Sequence, residues 1–437
     1  MCVSRARVVR VLLLVTCLTA VPVLQGLAVE SLQLSLGNVE GDGWSASDVE
    51  LQLNWTGPAR ARTELTASSL QLPPQLGRVT QLHFTCDAAD ITPAAIACER
   101  GTLKLHSSKL GRQSVPVSFN YRHVDTRLLV RMRGIRTAGG RLTVAADYRD
   151  GQWSASIKGA GLVLADVATQ LRAAGVELPA LELQGSMDLD LDLAGGPAGL
   201  SGASFDAGIA AESFTDATGR YAGEQVNASL SGKARPRRYG WEIESRLTAR
   251  QGAVYIEPLY VEVADQPIVA DLAVGWWSAR HRFRLHSFNY RDPGTLRLAG
   301  TGMVETGHEQ PVRELQLELQ DAVFPAAYER YLQPWLTGTL AGNLEMDGGL
   351  HGSLQVAGGQ LAGVSVDLQG VSVRQNDGLF GFDRLTGELD WSNSTTPEYS
   401  TLAWDGGHVY RIDLGTSALE IESTGNSVRL VHPVRIP

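Results

Sequence analysis

Strict two-residue alternation is the feature that most constrains this chain. Glu314-Leu315-Gln316-Leu317-Glu318-Leu319-Gln320 alternates without a break, as do Glu50-Leu51-Gln52-Leu53-Asn54-Trp55 and Met187-Asp188-Leu189-Asp190-Leu191-Asp192-Leu193. Successive side chains on a strand point to opposite faces, so each run is a strand with one dry face and one wet face. Turn signals recur between such runs: Asp150-Gly151, Asp347-Gly348-Gly349, Asp377-Gly378 and Asp405-Gly406-Gly407. Asp-Gly favours the tight turns that join antiparallel strands. The 47 glycines then serve as turn and bulge residues of a long meander.

Two segments break the pattern and read as helix. Leu164 to Ala174 places Leu164, Val167, Ala168 and Leu171 on one face, with Gly175 as its stop. Pro325 to Trp335 places Tyr328, Tyr331, Leu332 and Trp335 on one face, with Pro325 suited to a first turn. Each helix opens what reads as an internal repeat. Leu183-Gln184-Gly185-Ser186-Met187-Asp188 comes after the first, and Leu340-Ala341-Gly342-Asn343-Leu344-Glu345 after the second. Further on, residues 219–230 match residues 378–389 without a gap, with apolar and acidic positions in register. A unit that stacks on its neighbour has no natural boundary, so one elongated body is expected. The expected segments are 1–28 as signal peptide or N-terminal membrane anchor, 29–160 as an N-terminal meander, 161–323 as repeat 1 and 324–437 as repeat 2.

The start of the chain carries Arg5, Arg7 and Arg10 and no acid, then an almost wholly apolar run from Val11 to Leu24. Small residues come next at Gly26 and Ala28. A basic start, a short apolar stretch and small residues at a cleavable bond make a secretory signal, cut here after Ala28. An uncleaved inner-membrane anchor is the rival reading, but the run is short for a spanning helix and Pro22 interrupts it. Beyond the leader two cysteines remain, Cys86 and Cys98, flanking a polar stretch from Asp87 to Ala97 between two strand-like runs. In an oxidising compartment the pair is expected to form a disulfide. Two cysteines with no histidine beside them make a poor zinc site.

The signal, the amphipathic meander and the repeated helix with its "LxGxLxxD" pattern resemble the AsmA-like envelope proteins, with their TamB-type and YhdP/YdbH-type members. Leu336-Thr337-Gly338-Thr339-Leu340 and Phe382-Asp383-Arg384-Leu385-Thr386-Gly387-Glu388-Leu389-Asp390-Trp391 have the character of that family. The resemblance covers most of residues 30–437. It implies a long, taco-shaped β groove with an apolar inner face that carries phospholipid between inner and outer membranes. No catalytic residue belongs to the family, and none is carried over. The chain is shorter than the full-length bridges of that group. Residues 428–437 read as a strand still in progress, so an open strand edge that meets a partner, or a shortened member of the family, is expected there.

The expected fold is therefore mainly β: an elongated, twisted antiparallel β-groove, an open taco-like sheet built from repeats, with two short helices. Its lipid-facing rows are Leu189, Leu191 and Leu193 and Leu315, Leu317 and Leu319. Two helices about 16 Å long cannot cover so many strands. The sheet must fold over and seal, meet a partner, or hold acyl chains.

Other features read more plainly. Asp188, Asp190 and Asp192 share a strand face. Carboxylates suit calcium, but this spacing alone does not converge ligands, so a solvated outer face is preferred. Lys233-Ala234-Arg235-Pro236-Arg237-Arg238 reads as a hairpin turn. Arg280, Arg282 and Arg284 read as one strand face opposite Phe283 and Leu285. Either could meet phospholipid head groups, but a solvated turn and a solvated face are preferred. Trp276 and Trp277 cannot share a face, and the inward one is expected in the core. His281 and His286 face opposite ways, and His308-Glu309 lacks a second histidine one turn later, so no metal is expected. No nucleophile elbow, phosphate loop, His-Glu-x-x-His or Cys-x-x-Cys is present. No catalytic residue and no cofactor is expected. A net charge of −9 gives no reason to bind nucleic acid.

These readings point to an exported protein of the periplasm, with an inner-membrane anchor as the alternative. Its expected partners are phospholipid, the inner or outer membrane and other envelope proteins. A structural or assembly factor of the outer membrane without lipid cargo is the second reading, and an exported carbohydrate-active enzyme the third. N-terminal sequencing of the protein from envelope fractions should begin near Val29; an intact Met1 on cytoplasmic protein would overturn the export reading.

Overall fold

A computed structural model describes residues 30–437, apart from 42–43, 72–76, 174, 177, 264, 278–281, 307–310, 426 and 433–437. The leader, Arg280, His281, His308-Glu309 and the last five residues lie outside the described residues. The protein is mainly β, an open antiparallel sheet with two short helical segments. It divides into two compact units, Met1–Leu178 with Asp188–Ser201, and Pro179–Met187 with Gly202–Pro437. The division runs through a strand of the 161–323 segment.

In unit 1 the strands are β1 (Ser31–Gly41), β2 (Trp44–Gly57), β3 (Arg60–Gln71), β4 (Arg78–Ile91), β5 (Ala95–Ser107), β6 (Gly111–Arg122), β7 (Arg127–Thr137), β8 (Gly140–Arg149) and β9 (Gln152–Val163). Each pairs antiparallel with the next in the chain. Asp150 and Gly151 both take positive φ, 49° and 81°, and turn β8 into β9, as an Asp-Gly turn requires. Helix α1 (Leu164–Ala173) comes after β9; Ala168 is buried and Leu171 is exposed.

Strand β10 (Leu181–Gly196) contributes to both units, and β11 (Gly199–Asp216) lies mainly in unit 2. Unit 2 continues with β12 (Tyr221–Arg237), β13 (Gly240–Ile256), β14 (Leu259–Glu262), β15 (Ile268–Trp277), β16 (Arg282–Asp292), β17 (Leu296–Glu305) and β18 (Val312–Phe324). A π turn over Tyr328–Leu332 and the one-turn α2 (Gln333–Leu336) come next. The remaining strands are β19 (Leu344–Ala357), β20 (Gln360–Gln375), β21 (Phe380–Ser392), β22 (Glu398–Trp404), β23 (Gly406–Val409), β24 (Ile412–Asp413), β25 (Ser417–Thr424) and β26 (Ser427–Leu430). Strand β26 pairs with β25 through Ile421 and Leu430, and its four residues are exposed.

Three local expectations are corrected. Asp347-Gly348-Gly349 is no turn but the interior of β19. Gly348 has φ 98°, and a Cβ there would lie 2.6 Å from the Gly370 carbonyl oxygen on β20. Gly185 is the fifth residue of β10, as Gly348 is of β19, and it has φ 118° with the Ala210 carbonyl 2.2 Å from where a Cβ would sit. Close approach of a neighbouring backbone explains both glycines. These two therefore correspond, whereas Leu340–Asn343, matched to Leu183–Ser186 by sequence, precedes β19. The gapless pair of segments does share its backbone: Gly219 and Gly378 turn at φ 72° and 74°, and Gln225 and Arg384 both take φ 50°. Lastly, Lys233 to Arg237 belong to β12, which leaves Arg238 and Tyr239 as the turn.

Cys86 and Cys98 are bonded, with Cα atoms 6.3 Å apart. The bridge does not close a polar loop. Strand β4 runs on to Ile91 and β5 starts at Ala95, so the bond crosses a hairpin whose turn is Thr92–Ala94. Both cysteines are fully buried in a cluster with Phe84, Ala89, Val115 and Val117. A buried disulfide indicates an oxidising, exported compartment. Among the described residues no helix is long and apolar enough to cross a membrane.

Replacing Cys86 and Cys98 with Ser should lower stability to denaturant by about 3 kcal/mol. Unchanged stability, or two free thiols on peptide mapping of the exported protein, would contradict the bridge.

Candidate functional site

The alternating strands place their apolar side chains on one face, and the register shows that these form rows across the sheet. In unit 2 one row runs through Leu272, Phe288, Gly300, Leu317, Leu354, Val364 and Trp391, each opposite the next on the adjacent strand. A parallel row runs through Val274, Leu285, Gly302, Leu315, Val356 and Leu361. Glycines within the rows make room for their neighbours. A Cβ at Gly300 would lie 2.6 Å from Leu317 Cδ2, so Leu317 leans over that position instead of standing up from the sheet.

Among the described residues no second layer seals these rows. Leu315, Leu317, Leu354 and Val364 are half-buried, and Leu272 and Leu361 are exposed. In a core strand such side chains would be buried on all sides. Among the described residues only one end of the face is closed. There Ala322, Phe324, Ala327, Tyr328 and Val371 form a buried cluster, with Leu319, Leu336, Leu350, Leu368 and Leu385 packed on it. The helical segment supplies the cover. Tyr328, 1% exposed, donates its hydroxyl to the Ala341 carbonyl oxygen (2.7 Å) and accepts from the Leu344 amide (3.1 Å). The expected shared face of Tyr328, Tyr331, Leu332 and Trp335 is not formed. The π turn rotates the segment, and Leu332 and Trp335 are exposed. Of the three β18 leucines, Leu319 packs on this closed end, while Leu315 and Leu317 lie in the open stretch.

A polar clasp ties the helical segment to β16. Asp292, 4% exposed, accepts from Arg330 Nη1 and from the Tyr331 hydroxyl (2.9 Å), which also bonds Tyr290 Oη at 2.5 Å. Burial pushes both tyrosine hydroxyls above their ordinary range, which keeps them neutral donors. Burial opposes the Arg330 charge, but the Asp292 carboxylate outweighs it and raises the guanidinium further. Sequence reading missed this clasp because its members come from β16 and the helical segment, with no motif between them.

Unit 1 has the same construction. Leu34, Leu51, Leu65, Phe84, Leu103 and Val115 form one row from β1 to β6, running into the disulfide cluster. At its outer end Leu32, Leu34 and Leu36 of β1 are exposed. On β10, Leu189, Leu191 and Leu193 are half-buried and alternate with exposed Asp188, Asp190 and Asp192. Asp190 meets Lys158 at 3.0 Å, and Asp188 accepts from the Gly161 amide at 2.8 Å. The aspartates thus lie on the wet face, two of them with partners of their own, and the leucines on the side of Ile157. Among the described residues no group of three or more His, Cys, Asp or Glu could hold a metal ion.

Depressions also lie beside polar-face side chains. One of about 780 Å³ in unit 1 adjoins Asn120, Arg127, Asp147 and Ser154, and one of about 440 Å³ in unit 2 adjoins Arg246, Asp271 and Asn289. Their main charges are paired. Arg127 grips both Asp147 oxygens at 3.0 and 2.6 Å and holds that carboxyl below the usual range. Arg246 grips Asp271 likewise, at 2.5 and 3.0 Å.

Fold and site together define a class: an open antiparallel β protein whose apolar face is closed at one end by a short helical clasp. No protein-family model, curated protein or solved structure matches the chain.

Replacing Asp292 with Leu should cost about 3 kcal/mol, because the partly buried Arg330 charge loses its partner. Tyr331→Phe should cost about 1 kcal/mol. Denaturant unfolding measures both, and a neutral Asp292→Leu would show that the clasp does not hold the closed end.

Proposed function

We propose that this is an exported protein of a bacterial envelope whose apolar β face binds phospholipid acyl chains and conducts them between the inner and outer membranes, in the manner the AsmA-like resemblance implies. The observation that carries the reading is the incomplete burial of whole apolar rows, such as Leu272 to Trp391, across successive strands. Scattered exposed apolar side chains are ordinary on a soluble protein. Contiguous rows of them mark a surface that something else covers.

An acyl chain fits the chemistry of that surface. The rows offer aliphatic and aromatic side chains with no charge among them, while the polar residues project to the other face. Burying an acyl chain gains roughly 0.8 kcal/mol per methylene, so a dozen methylenes contribute about 10 kcal/mol before ordering costs. The glycines at 300 and 302 let Leu317 and Leu315 lie down over them, which presents a low, continuous aliphatic surface to a chain lying across the strands. The periplasm supplies the oxidising conditions that the Cys86–Cys98 bond requires.

Photo-crosslinking residues at Leu317 and Leu191, with Gln316 and Asp190 as controls, test the reading. Phospholipid adducts should form at the two leucine positions and be absent at the controls. Equal labelling at all four, or none at any, would reject a lipid-binding face and favour an assembly factor without lipid cargo.

A further inference from the structure

The apolar face of unit 2 opens at one rim onto a row of a different character. Pro236, Trp241, Trp276, Phe283, Val304 and Val312 stand opposite one another in sequence across β12 to β18. They share the face of Val274, Leu285 and Leu315, because each lies an even number of residues, or one bulge, from those side chains. The row therefore lies at the end of the open rows, far along the strands from the closed cluster at Tyr328. Trp276 stacks on Phe283 with ring planes 8° apart and centroids at 6.2 Å, yet the two remain 37% and 38% exposed. Sequence reading expected the inward tryptophan of the Trp276-Trp277 pair in a core. Instead Trp277 packs over Gly275 against His286 on the polar face, and Trp276 stands at the rim.

Arginine lies at the same strand ends but on the other face and at the hairpin turn: Arg235 and Arg284 are chain neighbours of Pro236 and Phe283 and so project from the opposite side of the sheet. Arg237 pairs with Glu242, and Arg282 and Arg313 share Glu305. Arg238 and Arg284 are exposed and form no ion pair among the described residues, and exposed Arg235 acts through space on Glu242, its ladder neighbour, which Arg237 already grips; Arg238 lies 5.1 Å over the Tyr239 ring. In a chain of net charge −9, this rim carries an arginine surplus. Strand ends that carry exposed Trp and Phe on one face, arginines on the other and Arg238 with Tyr239 at the turn have the composition that settles edge-on at the headgroup level of a bilayer. The rings take the boundary between water and acyl chains, and the cations take anionic phosphates.

We propose that this rim of unit 2 docks on the surface of an anionic phospholipid bilayer, with Trp276 and Phe283 at the acyl boundary and Arg235, Arg238 and Arg284 against the headgroups. The proposal deepens the lipid reading and rests on it for the step after docking: acyl chains pass over the stacked Trp276 and Phe283 rings onto the row of Leu285 and Leu315. A protein partner would match the aromatic row equally well, but it would not require anionic lipid.

Sedimentation of the full chain with phosphatidylcholine vesicles, with and without phosphatidylglycerol, tests it. Binding should need phosphatidylglycerol and weaken as salt rises. The triple variant Arg235→Glu, Arg238→Glu, Arg284→Glu should bind those vesicles at least a hundredfold more weakly. Trp276→Phe should still bind but lose part of the tryptophan quenching by acyl-brominated lipid. Equal binding to both vesicles, no binding to either, or an unaltered triple variant would overturn the proposal; should that variant misfold, the salt and lipid dependence of the unmodified chain still decides. The two readings fail separately. Vesicle binding without adducts at Leu317 keeps the docking rim and removes the route beyond it. Adducts at Leu317 without vesicle binding remove the rim alone.

Discussion

Alternation without a second layer governs this whole structure. Each strand commits its apolar residues to one face, and the pleat leaves no freedom in that choice. A globular β protein then packs that face on another sheet or a helix layer. Here the rows are only partly buried, and among the described residues closure is confined to two places. One is the disulfide cluster around Cys86, Cys98 and Phe84; the other is the cluster around Tyr328. Elsewhere the sheet is held by its hydrogen-bond ladders and by cross-strand pairs such as Leu317 with Leu354 and Leu51 with Leu65.

The two closed clusters are built by different means. In unit 1 a covalent bond crosses a hairpin and anchors side chains from β3 to β7 around it. In unit 2 a short helical segment lies over the sheet, held by Tyr328 to the chain leading into β19 and by the Asp292 clasp to β16. The π turn belongs to this solution. It inserts Tyr328 into the sheet while Arg330 and Tyr331 reach Asp292, a combination that a regular turn carrying Tyr328, Tyr331 and Trp335 on one face would not give.

Most of the sheet was legible in the sequence because a period of two has only one structural meaning at this length. The runs at 50–55, 187–193 and 314–320 are strands with alternating exposure. The Cys86–Cys98 pairing and both helical segments were legible too. What escaped was information carried between strands. Asp347-Gly348 has the composition of a turn, and only the Gly370 backbone across the ladder shows why glycine is needed within a strand. The rim row of Trp241, Trp276 and Phe283 depends on register, and bulges at Ala273/Val274 and Leu285/Phe288 shift that register in ways no single strand reveals. Asp292 directly precedes Pro293-Gly294, and nothing in that local sequence marks it as buried; its cover comes from a helical segment some forty residues on.

The proposed function stands or falls with lipid on the open apolar rows. Native mass spectrometry of the full chain, purified from envelope membranes in mild detergent, reads that occupancy. Phospholipid masses should remain bound to the protein, and Leu317→Arg, which puts a charge into the row, should deplete them. A chain that carries no phospholipid, or keeps the same amount with Leu317→Arg in place, would contradict that function.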